Sequence, residues 1–105
     1  MKIQFDRFGG ALGIPRKVEV DTEQMSADEA AEIHGLVEAS EFFGLPASLT
    51  QEGQAPDRFS YQITIEDGAK QHAVNTDELG APDTLRPLIE RLENLLRTQR
   101  RSSDD

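Results

Sequence analysis

The sequence predicts an α+β fold: an antiparallel four-stranded sheet made of two hairpins, with two helices on one face, in the order ββ-α-ββ-α. Three observations carry this. Apolar and polar residues alternate with period two around Ile3 and Phe5, around Val18 and Val20, and through Phe59, Tyr61, Ile63 and Ile65. The dipeptide Asp67-Gly68 follows the last of these runs, where a tight hairpin turn needs positive φ angles. Two further segments, after Ser26 and after Thr84, repeat their apolar residues at helical spacing. At 105 residues the chain has the length of one domain. That domain is expected over 1–98, with 99–105 as a disordered charged tail.

In chain order, residues 1–7 read as a half-buried strand with Met1, Ile3 and Phe5 inward. The stretch from 7 to 14 (Arg-Phe-Gly-Gly-Ala-Leu-Gly-Ile) reads as a glycine-rich loop, and alternation resumes over 16–20. The two strands pair as a hairpin with that loop at its tip. Ser26-Ala27-Asp28-Glu29 matches a capping box, in which the Ser26 hydroxyl and the Glu29 carboxylate satisfy free N–H groups at a helix start. Ala30, Ile33, Leu36 and Val37 form the apolar stripe of this helix, which stops near Ser40 because Gly44 and Pro46 follow. Phe42, Phe43 and Leu45 then supply an apolar plug under the sheet.

Residues 47–57 form the longest polar segment and read as an exposed loop. The clearest strand covers 58–65, and its return strand covers 70–75. A two-residue turn at Asp67-Gly68 sets His72 across from Ile63. The last helix begins after Thr84, its cap, so that Pro87 lies in the first turn, where a missing N–H costs nothing. Leu85, Leu88, Ile89, Leu92, Leu95 and Leu96 make its continuous apolar stripe. Chain direction then puts the first hairpin loop, the 47–57 loop and the 76–83 connection at one end of the sheet. The Asp67-Gly68 turn falls at the other.

Composition narrows the function. The net charge is −9, from 20 acidic and 11 basic residues. Nucleic-acid binding requires a basic footprint, and the one basic cluster is Arg97, Arg100 and Arg101, followed closely by Asp104 and Asp105. No nucleic-acid partner is expected. An acidic surface suits solubility or approach to a basic or cation-bearing partner. There is no Cys, which excludes disulfides, thiolate nucleophiles and thiolate metal sites. No apolar run has a membrane-spanning length of roughly 20 residues. The first residues lack the apolar core of a signal peptide, so a cytoplasmic location is expected.

Catalytic chemistry finds little support. The histidines are His34 and His72. His34 precedes Glu38 by one helical turn, which reads as a surface pair, because two ligands make a poor metal site without a third. His72 reads as a packed or edge histidine. A small hydrolase would have to depend on one of these two. No nucleophile elbow, phosphate-cradling loop or His-Glu-x-x-His zinc motif is present. Asp28-Glu29 and Asp77-Glu78 lie where helix starts explain them. A binding protein without a cofactor is expected, monomeric when free.

The anomaly is the loop over 8–14. Phe8, Leu12 and Ile14 are too many large apolar groups for a segment that only turns the chain. Gly9, Gly10 and Gly13 make it flexible or closely approached by another backbone. In one reading Phe8 and Ile14 cap the sheet end and the glycines permit the turn; in the other the loop is an apolar finger for a partner's groove. Asp57 has two readings as well. It bonds nearby backbone N–H groups after Pro56, or it displays a carboxylate beside the finger.

The ordered set of Met1-Lys2-Ile3, Gly9-Gly10-Ala11-Leu12-Gly13-Ile14, Glu41-Phe42-Phe43-Gly44-Leu45-Pro46, Asp57-Arg58-Phe59-Ser60-Tyr61, Ile65-Glu66-Asp67-Gly68 and Leu85-Arg86-Pro87-Leu88-Ile89 resembles the emfourin family. These are protein inhibitors of protealysin and related thermolysin-family zinc metalloproteases. The likeness spans about residues 1–92 in order and spacing. It implies an inhibitor that occupies a bacterial-type metalloprotease's active site through two neighbouring loops. One loop offers apolar side chains to the substrate pockets; the other offers an aspartate to the catalytic zinc.

Carried onto this chain, the resemblance implies the apolar role for Leu12, with Ile14 and Phe8 in support, within a binding segment of Phe8, Gly9, Gly10, Ala11, Leu12, Gly13 and Ile14. It implies the zinc-directed role for Asp57, with Asp77 as a rival and Glu52 behind both. Where the family pattern leads one to expect an aromatic near position 11, this chain has Ala11, with Phe8 slightly upstream. An adaptor that binds a non-protease partner through the same end is the alternative.

Overall fold

Four strands form one sheet in the spatial order β2-β1-β3-β4, with every neighbouring pair antiparallel. They are β1 (Lys2–Gly9), β2 (Arg16–Asp21), β3 (Phe59–Asp67) and β4 (Lys70–Asp77), and the helices are α1 (Ala27–Ser40) and α2 (Arg86–Ser103). The computed structural model describes residues 1–9, 15–49, 59–77 and 80–103, with the backbone alone beyond Arg97. The expected ββ-α-ββ-α order and α+β class hold.

Alternation decides which face is covered. Ile3, Phe5, Val18, Val20, Tyr61, Ile63, Ile65 and Val74 are buried together with Ile33 and Val37 of α1 and Leu88, Ile89, Leu92 and Leu96 of α2. Successive strand residues point to opposite faces, so Lys2, Gln4, Asp6 and Phe8 of β1 occupy the face the helices leave open. Burying these large apolar side chains, at about 1.5–3 kcal/mol each, is what offsets the entropy of ordering the chain.

The first helix starts as its capping box predicts. Ser26 Oγ accepts the Glu29 N–H at 3.2 Å. The Glu29 carboxylate, expected on a backbone N–H, instead accepts the Ser26 hydroxyl at 3.1 Å and lies 3.7 Å from Arg91 of α2. The helix ends at Ser40, and Glu41 takes the left-handed conformation with φ 52°. Phe42 is fully buried, whereas Phe43 and Leu45 are partly buried against the core.

Several boundaries move. β1 continues through Phe8 and Gly9, which the sequence places in the loop, because β3 still pairs with them (Phe8↔Ser60, Gly9↔Phe59) after the β1–β2 register ends at Arg7↔Arg16. The far turn is centred on Gly68-Ala69, since Asp67 pairs with Lys70. Gly68 has φ 62°, and a glycine in that conformation belongs at the first central position of a type II′ turn. The register is therefore displaced by two positions, and His72 faces Ile65 rather than Ile63. A displacement of two preserves the inward face, which is why the burial pattern survives it.

α2 begins one residue after the expected start, with Leu85 and Arg86 N–H groups both directed to the Pro82 carbonyl. Pro87 remains in the first turn, where its missing N–H leaves nothing unpaired. The helix runs to Ser103. No helix among the described residues is long and apolar enough to cross a membrane.

Candidate functional site

The two segments of interest leave the sheet side by side. Gly9, the last residue of β1, pairs with Phe59, the first of β3. Paired residues in an antiparallel ladder lie about 5 Å apart. The chain therefore enters 10–14 beside the point where it leaves 50–58. Ser60 pairs in turn with Asp77, the last residue of β4. The expected end-sharing of the first hairpin loop, the 47–57 segment and the 76–83 connection is thus present at their stems. Gly10, Ala11, Leu12, Gly13, Ile14, Glu52 and Asp57 lie outside the described residues.

The stems are built from residues whose roles the sequence did not announce. The Arg7 guanidinium lies 4.4 Å from the centre of the Phe59 ring, and its Nη1 is 3.5 Å from Glu93 Oε1 of α2. Such a stacked arginine gains about 0.5–2 kcal/mol from the ring. One stem of each segment and the second helix therefore meet at a single side chain. Next to it, Phe5 and Tyr61 stack with ring centres 5.6 Å apart.

The 47–57 segment does not begin as free loop. The Leu49 N–H donates to the Asn75 carbonyl at 2.7 Å, and the Asn75 N–H donates to the Ala47 carbonyl at 2.8 Å. This short parallel bridge extends the sheet beyond β4 at Ser48. The Leu49 carbonyl also presses on Gly80, where an ideal Cβ would lie 1.7 Å from its oxygen. Only a residue without a side chain fits that approach.

Of the named site residues, Phe8, Gly9 and Asp77 can be placed. Phe8 is 42% exposed and is the exposed large hydrophobic residue of the described chain. It sits on the open face one residue before Gly9, whose φ is 83°. Asp77 is 3% exposed, and its Oδ1 accepts the Gly80 N–H at 2.6 Å. That carboxylate is engaged inside the fold. The signal for this bond in the sequence is the pair of Asp77 and Gly80, residue types favoured where a chain leaves a strand.

Both histidines have partners within the fold. His34 Nε2 is 3.1 Å from Thr22 Oγ1, which replaces the pairing expected with Glu38. His72 donates from Nε2 to the Leu45 carbonyl at 2.7 Å and meets the Phe42 ring edge-on at 5.7 Å. It ties the apolar plug to β4. Among the described residues no group of three or more His, Asp or Glu side chains is arranged to hold a metal ion.

With this geometry in place, comparison with known proteins is decisive at one point. The Emfourin family model matches residues 5–93. The chain belongs to the emfourin family. The match takes in Arg7, Phe8, Phe59, Asp77, Gly80 and Glu93, so the whole scaffold of the loop-bearing end lies within it. Emfourins are an inhibitor family, and membership implies a protease-inhibitor role for this chain. No curated protein and no solved structure matches it.

Proposed function

We propose that this emfourin inhibits thermolysin-like zinc metalloproteases by blocking the active site with its glycine-rich segment and a neighbouring carboxylate. The observation that carries this reading is the Gly9↔Phe59 pairing, which brings the stems of the two segments together at one end of the sheet. Leu12, with Ile14 and Phe8 beside it, fills an apolar substrate pocket, and Gly9, Gly10, Ala11 and Gly13 let the backbone lie close to the protease. Asp57 takes the position that a catalytic zinc reserves for water. The engagement of Asp77 with Gly80 supports Asp57 over Asp77 for that role.

Inhibition is reversible and needs no cofactor of the inhibitor's own, because the metal belongs to the protease. The free protein is a monomer and acts in the cytoplasm. An acidic chain of net charge −9 suits approach to a metal-bearing cleft. The test is a titration against several thermolysin-like proteases. Activity is expected to fall to zero near one equivalent of inhibitor, and full activity throughout in all of them would overturn the reading.

A further inference from the structure

We infer that the protein carries a second docking site, at the opposite end of the sheet, for a basic segment of another protein chain. The site is a groove of about 290 Å³ between the C-terminal end of α1 and the turn from β3 to β4. Its apolar lining includes Val37, Phe42 and Phe43, of which Phe43 is only half-buried. Glu38, Glu41 and Asp67 stand exposed on its rim. Asp67 pairs with Lys70 where β3 turns into β4, whereas Phe59 pairs with Gly9 at the other end of β3. An occupant of this groove therefore leaves the loop-bearing end clear.

The rim charges are placed against local preference. Glu38 lies in the last turn of α1, which holds no basic residue, and Glu41 is the C-cap. A helix C-terminus carries partial negative charge, so a cation there is favoured by about 0.3–1 kcal/mol and a carboxylate is disfavoured. Glu41 also has φ 52°, at a position where glycine is the usual residue. Among the described residues, the three carboxylates form no ion pair. Lys70, on the same rim, directs its ammonium to the Phe43 ring, 5.8 Å from the ring centre. His34 beside it is bonded to Thr22 Oγ1. Local rules broken without a compensating contact mark functional sites. Charge complementarity selects the occupant. An arginine or lysine of a partner lays its aliphatic stem along the apolar lining and brings its charge among the carboxylates at the negative end of the helix.

The test follows NMR amide shifts of the full chain as two blocked peptides are added, one of alternating arginine and leucine, the other of alternating glutamate and leucine. The arginine peptide is expected to move signals over 37–44 and 67–70 and to leave those of Gly9 and Phe59 in place. Glu41→Gln and Asp67→Asn should each weaken its binding about two- to fivefold. Glu90→Gln, which removes the same charge from an exposed position on α2, should leave binding unchanged. Glu41→Gly, which also removes the cost of the positive φ, should bind as weakly as Glu41→Gln, and this separates binding from folding. Equal binding of the glutamate peptide, shifts spread beyond the groove, no shifts at all, or an equal loss in Glu90→Gln would each overturn the site. None of these readouts involves a protease, so the site and the inhibitory reading fail independently.

Discussion

The carbonyl oxygen of Leu49 occupies the space that any side chain at Gly80 would need: an ideal Cβ there falls 1.7 Å from the oxygen and 2.9 Å from the carbonyl carbon. Both atoms are backbone, and Leu49 is itself fixed by its N–H bond to the Asn75 carbonyl. The strain of a larger residue therefore cannot be relieved by rotating a side chain. Gly80→Ala is expected to destabilise the fold by about 1–3 kcal/mol, as overpacking does elsewhere. Urea unfolding measures it, and an unchanged midpoint would contradict the close approach.

Asp77 closes the same corner from the other side. Removing its carboxylate leaves the Gly80 N–H without its acceptor, at a cost of about 1–3 kcal/mol for Asp77→Ala. Asp77→Asn keeps an acceptor oxygen and should lose less. Both variants should still inhibit a thermolysin-like protease at temperatures where they are folded. A folded, stable Asp77→Asn protein that had lost inhibition entirely would shift the zinc-directed role from Asp57 to Asp77.

Glu41 ends α1 in the left-handed conformation, which disfavours any residue carrying a Cβ. Glycine removes that cost but gains freedom in the unfolded chain. The net expectation for Glu41→Gly is a stabilisation of about 0.5 kcal/mol, seen as a rise in Tm of roughly 2–4 °C. A lower Tm would mean that the Glu41 side chain contributes a contact of its own.

For the protease-facing end, Leu12→Asp and Asp57→Ala are each expected to weaken inhibition at least about 30-fold, the scale of an interface hot spot. Thermal unfolding of both should stay close to wild type. Phe8→Ser belongs to the same set, since an exposed side chain on the open face contributes within about 0.5 kcal/mol to stability. If Asp57→Ala instead lowers Tm sharply, its carboxylate serves the local backbone. Undiminished inhibition by Phe8→Ser would remove Phe8 from the protease contact.

The order of elements was legible because each rests on a local period. Ile3 and Phe5, Val18 and Val20, and the run from Phe59 to Ile65 repeat every second residue, and Leu88, Ile89, Leu92 and Leu96 repeat as one helical stripe. Ser26 announced its helix in the same local way. The register of the second hairpin lies two positions from the one that a turn centred on Asp67-Gly68 implies, because either placement of the turn buries the same face. Gly68 resolved it through one positive φ angle.

The glycine-rich segment stood out in the sequence by composition alone: Phe8, Leu12 and Ile14 among three glycines are more apolar surface than a turn requires. Chain direction also implied that it shares an end with the 47–57 segment. What composition and direction do not contain is the joinery at that end. The β1–β3 pairing that extends through Gly9, the stacking of Arg7 on Phe59, and the Leu49–Gly80 approach each join residues far apart in the chain. No local period encodes such contacts. They exist only once hydrophobic burial has folded the sheet against its helices and brought those backbones within hydrogen-bonding distance.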